Sequence, residues 1–129
     1  MAQWYSYVRS QDNATASISI DIGIDAERDL PSRPLAFLLV RRIDDGAKPQ
    51  PIHELEELLR QRLEVAGFLL VATLTMSGSR TLVVYGDDDE RLREIMSTVD
   101  EPFAIQTSDD RAWQLYRTLL PTNEEITNS

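Results

Sequence analysis

The sequence of 129 residues contains no cysteine and a single histidine, His53. Without cysteine the chain has no disulfide, no thiolate nucleophile and no sulfur ligand for zinc or an iron–sulfur cluster. One histidine cannot build a metal site of several histidines within one chain. Because His53 stands apart from any nucleophile motif, we assign it a surface or capping position. We expect no catalytic residue, no metal site and no cofactor.

Long apolar runs are also missing. The longest, Leu35 to Val40, has six residues, far fewer than the roughly 20 that a membrane-spanning helix needs. The opening residues Met1 to Tyr7 lack the basic start and apolar stretch of a signal peptide. We therefore expect a cytoplasmic protein that does not bind membranes.

Features that bind phosphate are scarce as well. The five glycines are isolated from one another, which excludes the glycine-rich loops that cradle nucleotide phosphates. Lysine and arginine total 13 against 22 aspartate and glutamate, a net charge of −9. Such a chain repels the phosphates of nucleic acids and the head groups of anionic lipids. The charge favours instead a protein partner that carries a basic surface.

The length fits one domain, which we place at residues 1–121, with a flexible polar tail at 122–129. Alternation of Ile18, Ile20, Ile22 and Ile24 with small or acidic residues is typical of a half-buried strand in an antiparallel sheet. In chain order, periodicity predicts strands at Trp4–Arg9 and Ser17–Asp25 that form a hairpin, a strand at Leu35–Ile43, a helix from Pro51 to Gly67, strands at Phe68–Met76 and Arg80–Tyr85, a helix from Asp87 or Asp88 to Val99, a strand at Phe103–Thr107, and a last helix capped by Ser108 or Asp109.

This order predicts an α+β fold. Its middle six elements follow the βαββαβ order of the ferredoxin-like, split βαβ core, preceded by an N-terminal β-hairpin and followed by a C-terminal helix. In such a core the strands at Leu35–Ile43 and Arg80–Tyr85 form the inner pair, which agrees with their apolar composition.

Two acidic clusters raise the question of a metal. Asp44 and Asp45 precede Gly46, and Asp87 to Glu90 are four acids in succession. Magnesium needs only one or two carboxylates, so a metal-dependent hydrolase is one alternative. A turn at the first cluster and a helix cap at the second explain the same residues structurally.

A third group of acids depends on strand parity. If extended backbone continues past Gly23, then Asp21, Asp25, Glu27 and Asp29 project from the side opposite the isoleucines. They would form an acidic stripe, which we regard as the best candidate for partner binding. The alternative is an ordinary solvated face whose last residues lie in a loop.

Aromatic residues concentrate at the two ends of the chain. Trp4, Tyr7, Trp113 and Tyr116 are interpreted as one structural aromatic cluster. A base-stacking role would need a basic groove beside them, which the net charge opposes.

The spacing of several short segments resembles a known family. The segments are Trp4-x-x-Tyr7, the entry Ala16-Ser17-Ile18 into a strand with an aspartate, Asp45-Gly46 before a glutamate-rich helix, and Asp110-x-x-Trp113-x-x-Tyr116 followed by Leu119-Leu120-Pro121. Together they resemble the domain of unknown function 695 family over nearly the whole chain. Leu120 departs from the aromatic residue expected there in many members. The family is similar in architecture to regulator of ribonuclease activity B, an acidic non-enzymatic inhibitor of ribonuclease E. The resemblance implies no catalytic residues.

The leading hypothesis is therefore a non-catalytic, acidic protein-binding module that inhibits or regulates a partner enzyme. It would act like an immunity protein or a ribonuclease regulator. The alternatives are the metal-dependent hydrolase and a small-molecule sensor that uses the open sheet face or the hollow beneath the last helix. The oligomeric state stays open.

Overall fold

The computed structural model describes residues 4–11, 14–24, 33–42, 49–76, 78–99 and 103–122. Six strands lie within these ranges: β1 (Trp4–Gln11), β2 (Ala14–Asp21), β3 (Leu35–Arg42), β4 (Leu69–Met76), β5 (Ser79–Gly86) and β6 (Ala104–Asp109). Three helices accompany them: α1 (Pro49–Val65), α2 (Asp89–Ser97) and α3 (Gln114–Leu119). The predicted α+β class is confirmed.

All six strands form one antiparallel sheet in the order β1-β2-β4-β5-β3-β6. Strands β3 and β5 pair along their whole lengths, from Leu35 opposite Gly86 to Arg42 opposite Ser79. The predicted hairpin of β1 and β2 extends this sheet, because β2 pairs with β4. The hairpin thus covers the backbone edge that β4 would otherwise expose.

The two faces of the sheet carry separate cores, because strand residues alternate between them. On one face α1 and α2 contribute Leu59, Leu63, Leu92 and Met96, which pack on Phe37, Leu39, Leu82 and Val84. On the other face the segment around α3 contributes Trp113, Tyr116 and Leu119, which pack on Tyr7, Ile18, Ile20, Val83 and Tyr85. The β-bulge beside Val71 lets Val71 and Ala72 both join this second core.

Several local boundaries differ from the prediction, and three of these differences bear on the site. Strand β2 ends at Asp21, where residues 22–23 turn, and does not continue to Asp25. Helix α1 begins two residues earlier than Pro51, at Pro49. The N-cap of α3 is Trp113 and not Ser108 or Asp109. The carboxylate of Asp110 accepts hydrogen bonds from the backbone N–H groups of Gln114 and Leu115, at 2.7 and 3.0 Å.

Candidate functional site

The described elements leave one half of the helix-bearing sheet face uncovered. A lateral row of residues on that face runs across β3, β5, β4, β2 and β1: Leu39, Leu82, Thr73, Ser19 and Ser6. The leucines lie fully buried beneath the helices, whereas the row changes to hydroxyl side chains as it passes onto the hairpin. This explains why serine alternates with isoleucine in β2: the isoleucines face the second core and the serines face the open side.

We call this open half the hairpin face and define it by Trp4, Ser6, Val8, Ser10, Thr15, Ser17 and Ser19. Its hydroxyls pair across the hairpin, Ser6 with Ser19 at 2.8 Å and Ser10 with Thr15 at 3.3 Å. Two large apolar side chains stand among them, Trp4 at 42% and Val8 at 58% exposure. Exposed apolar side chains within a polar surround are typical of a binding surface.

A groove separates the hairpin face from α1. Its volume is about 340 Å³, and it is lined by Trp4, Ser19, Glu56, Glu57, Arg60, Leu70, Thr73 and Arg80. At its base Arg80 donates two hydrogen bonds to the Glu56 carboxylate, at 2.7 and 2.9 Å, and a third to the Thr75 hydroxyl. The Glu56 side chain is 11% exposed. The two charges therefore form a hydrogen-bonded ion pair that is largely shielded from water.

The groove rim is also built from ion pairs. Arg60 contacts Glu57 one turn earlier and Glu64 one turn later along α1. The Arg60 guanidinium lowers the pKa of Glu57, chiefly through their hydrogen bond. The groove therefore presents balanced charges, hydroxyls and one indole, a set of groups suited to binding.

The predicted acidic stripe is only partly within the described residues. Asp21 ends β2, is 6% exposed, and its Oδ1 accepts a hydrogen bond from the Gly23 N–H at 2.9 Å. Its carboxylate therefore supports the turn at residues 22–23. The prediction of the stripe required extended backbone past Gly23, whereas the strand ends at Asp21. Asp25, Glu27 and Asp29 lie outside the described residues.

Three of the four residues grouped as an aromatic cluster, Tyr7, Trp113 and Tyr116, lie in the second core. Trp113 stacks on Tyr85 with ring centroids 4.2 Å apart and meets Tyr116 edge to face at 5.7 Å, and Tyr7 belongs to the same core. Trp4 does not belong to this cluster and lies in the groove on the other face. Trp4 and Tyr7 are three residues apart on one strand, so their side chains point to opposite faces.

Asp110 organises the polar partners of this cluster. Its Oδ2 accepts a hydrogen bond of 2.6 Å from the Tyr85 hydroxyl, which in turn accepts one from the backbone N–H of Tyr116. Burial, then the hydrogen bond to Asp110, raises the pKa of Tyr85. Burial, then the charge of Asp21, raises the pKa of Tyr116 to about 12. Both phenols thus stay protonated and act as hydrogen-bond donors.

The same segment is fastened to the hairpin. The Tyr116 hydroxyl donates to the Asp21 carbonyl at 2.6 Å, and the Tyr7 hydroxyl donates to the Leu119 carbonyl. Arg9 donates to the carbonyls of Thr118 and Leu120. These contacts join the hairpin to the segment around α3, so Tyr7, Trp113 and Tyr116, three of the aromatic residues that carry the family resemblance, serve the framework.

The second acidic cluster has structural contacts. Asp88 caps α2 by accepting from the Arg91 N–H at 3.2 Å, and Asp89 accepts hydrogen bonds from Arg93 and Thr107. Thr107 and Arg93 lower the pKa of Asp89 through these bonds. Within the described ranges no group of three or more histidine, aspartate or glutamate side chains is arranged to hold a metal. Asp44 and Asp45 lie outside those ranges, as does the side chain of His53.

Charge is distributed unevenly along the chain. The described ranges contain twelve acidic and eleven basic side chains, so nearly all of the net charge of −9 comes from the remaining segments. Among these segments, residues 25–32 hold Asp25, Glu27 and Asp29 against Arg28. The net negative charge therefore comes mainly from residues outside the described ranges.

Sequence reasoning missed the groove residues Glu56, Thr73 and Arg80. Glu56 and Arg80 are 24 positions apart, and no local pattern couples them. The alternating serines of β2 were the one indication of this region in the sequence. They predict that one side of β2 faces solvent, but they do not predict which residues lie beside it.

Together the six-stranded sheet and its two cores define a small α+β domain. No helix of the described residues is both long and apolar enough to cross a membrane. A family model, described as a family of unknown function (DUF695), matches residues 2–120, and the chain belongs to this family. Neither the comparison with curated proteins nor that with solved structures gave a match.

Proposed function

We propose that the chain is a non-catalytic protein-binding module that inhibits or regulates a partner enzyme with a basic surface. The observation that carries this proposal is the exposure of Trp4 and Val8 on the hairpin face. Tryptophan is enriched among the residues that dominate binding energy when a partner covers them. Cytoplasmic location is part of the proposal, in keeping with the lack of cysteine.

The net negative charge of the chain favours a partner with a basic surface. The net charge of −9 attracts basic proteins over a distance and raises the rate of encounter. Asp25, Glu27 and Asp29 come four to eight positions after the end of β2, which forms half of the hairpin face. In the proposed complex Trp4 and Val8 anchor the partner, and these carboxylates select its basic surface. An enzyme whose active site binds phosphates would be blocked in this way.

We also propose the ferredoxin-like assignment for the central elements. It is supported by the strand order β4-β5-β3-β6, with α1 connecting β3 to β4 and α2 connecting β5 to β6. The similarity to regulator of ribonuclease activity B belongs to the same proposal, as an analogy of architecture.

The test uses three immobilised forms of the full chain as baits in native lysate. They are the wild type, a Trp4→Ser/Val8→Ser variant, and a Met76→Ser control, in which an equally exposed apolar side chain is removed away from the hairpin face. We expect the wild type and the control to retain one basic enzyme that the double variant loses. The purified enzyme should lose turnover when the wild-type protein is added.

A charge variant separates the two parts of the surface. Asp25→Asn/Glu27→Gln/Asp29→Asn should slow association and reduce its dependence on salt. The proposal is overturned if all baits retain the same proteins, or if the purified enzyme works equally well with and without the protein.

The groove beside α1 favours one second candidate, a small-molecule sensor. Its volume of about 340 Å³ lies within the range of ligand sites, and Trp4 supplies an apolar wall. A metabolite that fits should change Trp4 fluorescence in a Trp113→Phe background. A library screen in which no compound shifts this emission counts against it.

A further inference from the structure

The outer surface of the two long helices carries a second groove, remote from the hairpin face. It has a volume of about 620 Å³ and is lined by Leu58, Gln61, Arg62, Val65, Glu94, Ile95 and Thr98. We call it the α1–α2 groove. The proposed function makes no use of it.

Helix α1 has two apolar stripes. Leu59 and Leu63 are fully buried against the sheet. Leu58 and Val65 lie on the outward side, seven residues apart and thus on one face, with 43% and 89% exposure. The outward stripe adjoins Ile95 of α2 in the α1–α2 groove. A helix that needed only its inward stripe would carry polar residues at positions 58 and 65.

The charges beside this stripe have opposite signs. The Arg62 guanidinium is held over α2 by a hydrogen bond of 2.9 Å to the Thr98 hydroxyl. Glu94, on the same groove, forms no ion pair with any residue that the structure describes. Arg62 and Glu94 thus line one surface without forming an ion pair with each other.

A surface of this kind is complementary to itself. When two copies are related by a two-fold axis, a contact between residue i of one copy and residue j of the other occurs twice. If α1 of one copy lay on α2 of the other, an Arg62–Glu94 contact would therefore form twice, and Leu58, Val65 and Ile95 of both copies would be covered. A basic partner enzyme would instead select a rim of uniform negative charge.

We propose that two copies of this chain associate through the α1–α2 groove. The four helices form the interface, with Leu58, Val65 and Ile95 at its centre and two Arg62–Glu94 ion pairs at its rim. The hairpin faces remain free in this dimer, because they lie beside the helices on the open half of the sheet. One assembly then presents two partner-binding surfaces.

The mass in solution tests this proposal on the full chain. Analytical ultracentrifugation across the micromolar range should show twice the chain mass of 14.7 kDa. Val65→Glu places a charge at the centre and should raise the dissociation constant by about tenfold or more. Met76→Glu, at a side chain exposed outside the groove, should leave the dissociation constant unchanged.

A charge exchange tests the orientation. Arg62→Glu and Glu94→Arg should each weaken the dimer by placing like charges opposite each other, and the double variant should restore it. Circular dichroism confirms that each variant is folded. The proposal is overturned if the wild type stays monomeric at the highest concentration, if Val65→Glu dimerises like the wild type, or if the double exchange gives no recovery. None of these results bears on capture through Trp4 and Val8.

Discussion

The hydroxyl of Tyr85 donates a hydrogen bond of 2.6 Å to Oδ2 of Asp110, which lies 25 residues later in the chain. The two carboxylate oxygens of Asp110 also accept hydrogen bonds from the backbone N–H groups of Gln114 and Leu115. One carboxylate therefore joins the sheet to the first turn of α3. Trp113, Tyr116 and Leu119 pack on this face of the sheet and complete the second core. The contact between Asp110 and Tyr85 therefore positions the segment that covers the face.

Asp110→Ala should lower the free energy of unfolding by about 2 kcal/mol, because it removes the acceptor of two backbone N–H groups in the first turn of α3 and leaves the Tyr85 hydroxyl without its acceptor. Urea denaturation measures the change. Asp109→Ala is a matched control, since the Asp109 side chain is 65% exposed and contacts Arg111 at 3.5 Å. It should leave the midpoint unchanged. Equal losses in the two variants would contradict this role of Asp110.

The buried phenols predict a loss of stability at alkaline pH. The pKa of Tyr116 is raised to about 12 from an ordinary value of 10.0, and that of Tyr85 is also raised. As the pH rises past 10, the unfolded chain releases these protons first, so the free energy of unfolding falls. For Tyr116 this stabilisation is complete below pH 10 and is lost as the pH rises through about 12.

Tyr116→Phe provides the control for this pH effect. The variant should be less stable than the wild type at neutral pH, because the hydrogen bond to the Asp21 carbonyl is lost. Its free energy of unfolding should then fall less steeply above pH 10. Urea denaturation at several alkaline pH values gives both slopes. Identical slopes would show that Tyr116 keeps no raised pKa in the folded protein.

Much of the fold could be predicted from the sequence because its cues are local. The alternation of serine and isoleucine fixes which side of β2 is buried, and the three- and four-residue spacing from Leu55 to Leu63 fixes a helix. The strand limit at Asp21 could not be predicted from alternation alone. Ile22 and Ile24 continue the pattern, while the turn is stabilised by the hydrogen bond between Gly23 and the Asp21 carboxylate.

The candidate site was less predictable because it depends on contacts distant in sequence. The Glu56–Arg80 pair forms only when α1 lies over β4 and β5. The sequence favoured Ser108 or Asp109 as the cap of α3, and the role of Asp110 depends on Tyr85, which lies 25 positions away. Strand parity alone predicts that Trp4 and Tyr7 lie on opposite faces of the sheet. The prediction of one aromatic cluster grouped them by residue type and did not apply this rule.

The two tryptophans should respond differently to conservative substitution. Trp113 is fully buried, and its Nε1 donates to the Arg33 carbonyl at 2.8 Å. Trp113→Phe should therefore cost about 2–3 kcal/mol of stability through the lost hydrogen bond and a small cavity. Trp4→Phe should change stability little, since Trp4 is 42% exposed.

Fluorescence quenching checks the same assignment. The emission of the Trp4→Phe variant comes from Trp113 and should resist quenching by iodide, whereas emission in the Trp113→Phe variant should be quenched readily. Equal quenching of the two variants would place both indoles in the same environment and contradict the separation of the two faces.

The adjacent residues Glu56 and Glu57 distinguish an enclosed ion pair from an exposed one. Glu56→Gln replaces a carboxylate that binds Arg80 through two hydrogen bonds in the groove, where their side chains are 11% and 18% exposed. It should lower the free energy of unfolding by about 1–3 kcal/mol, because the Arg80 charge is left poorly paired. Glu57→Gln, at a side chain 53% exposed, should produce no measurable change.

A double-mutant cycle with Arg80→Met isolates the interaction itself. In that background Glu56→Gln should lower the free energy of unfolding by less than it does in the wild type, because the Arg80 charge that it would leave unpaired is already absent. The difference between the two costs measures the coupling between Glu56 and Arg80. A coupling no larger than that between Glu57 and Arg60, measured by the same cycle with Arg60→Met, would show that the groove solvates the pair as fully as the helix surface does.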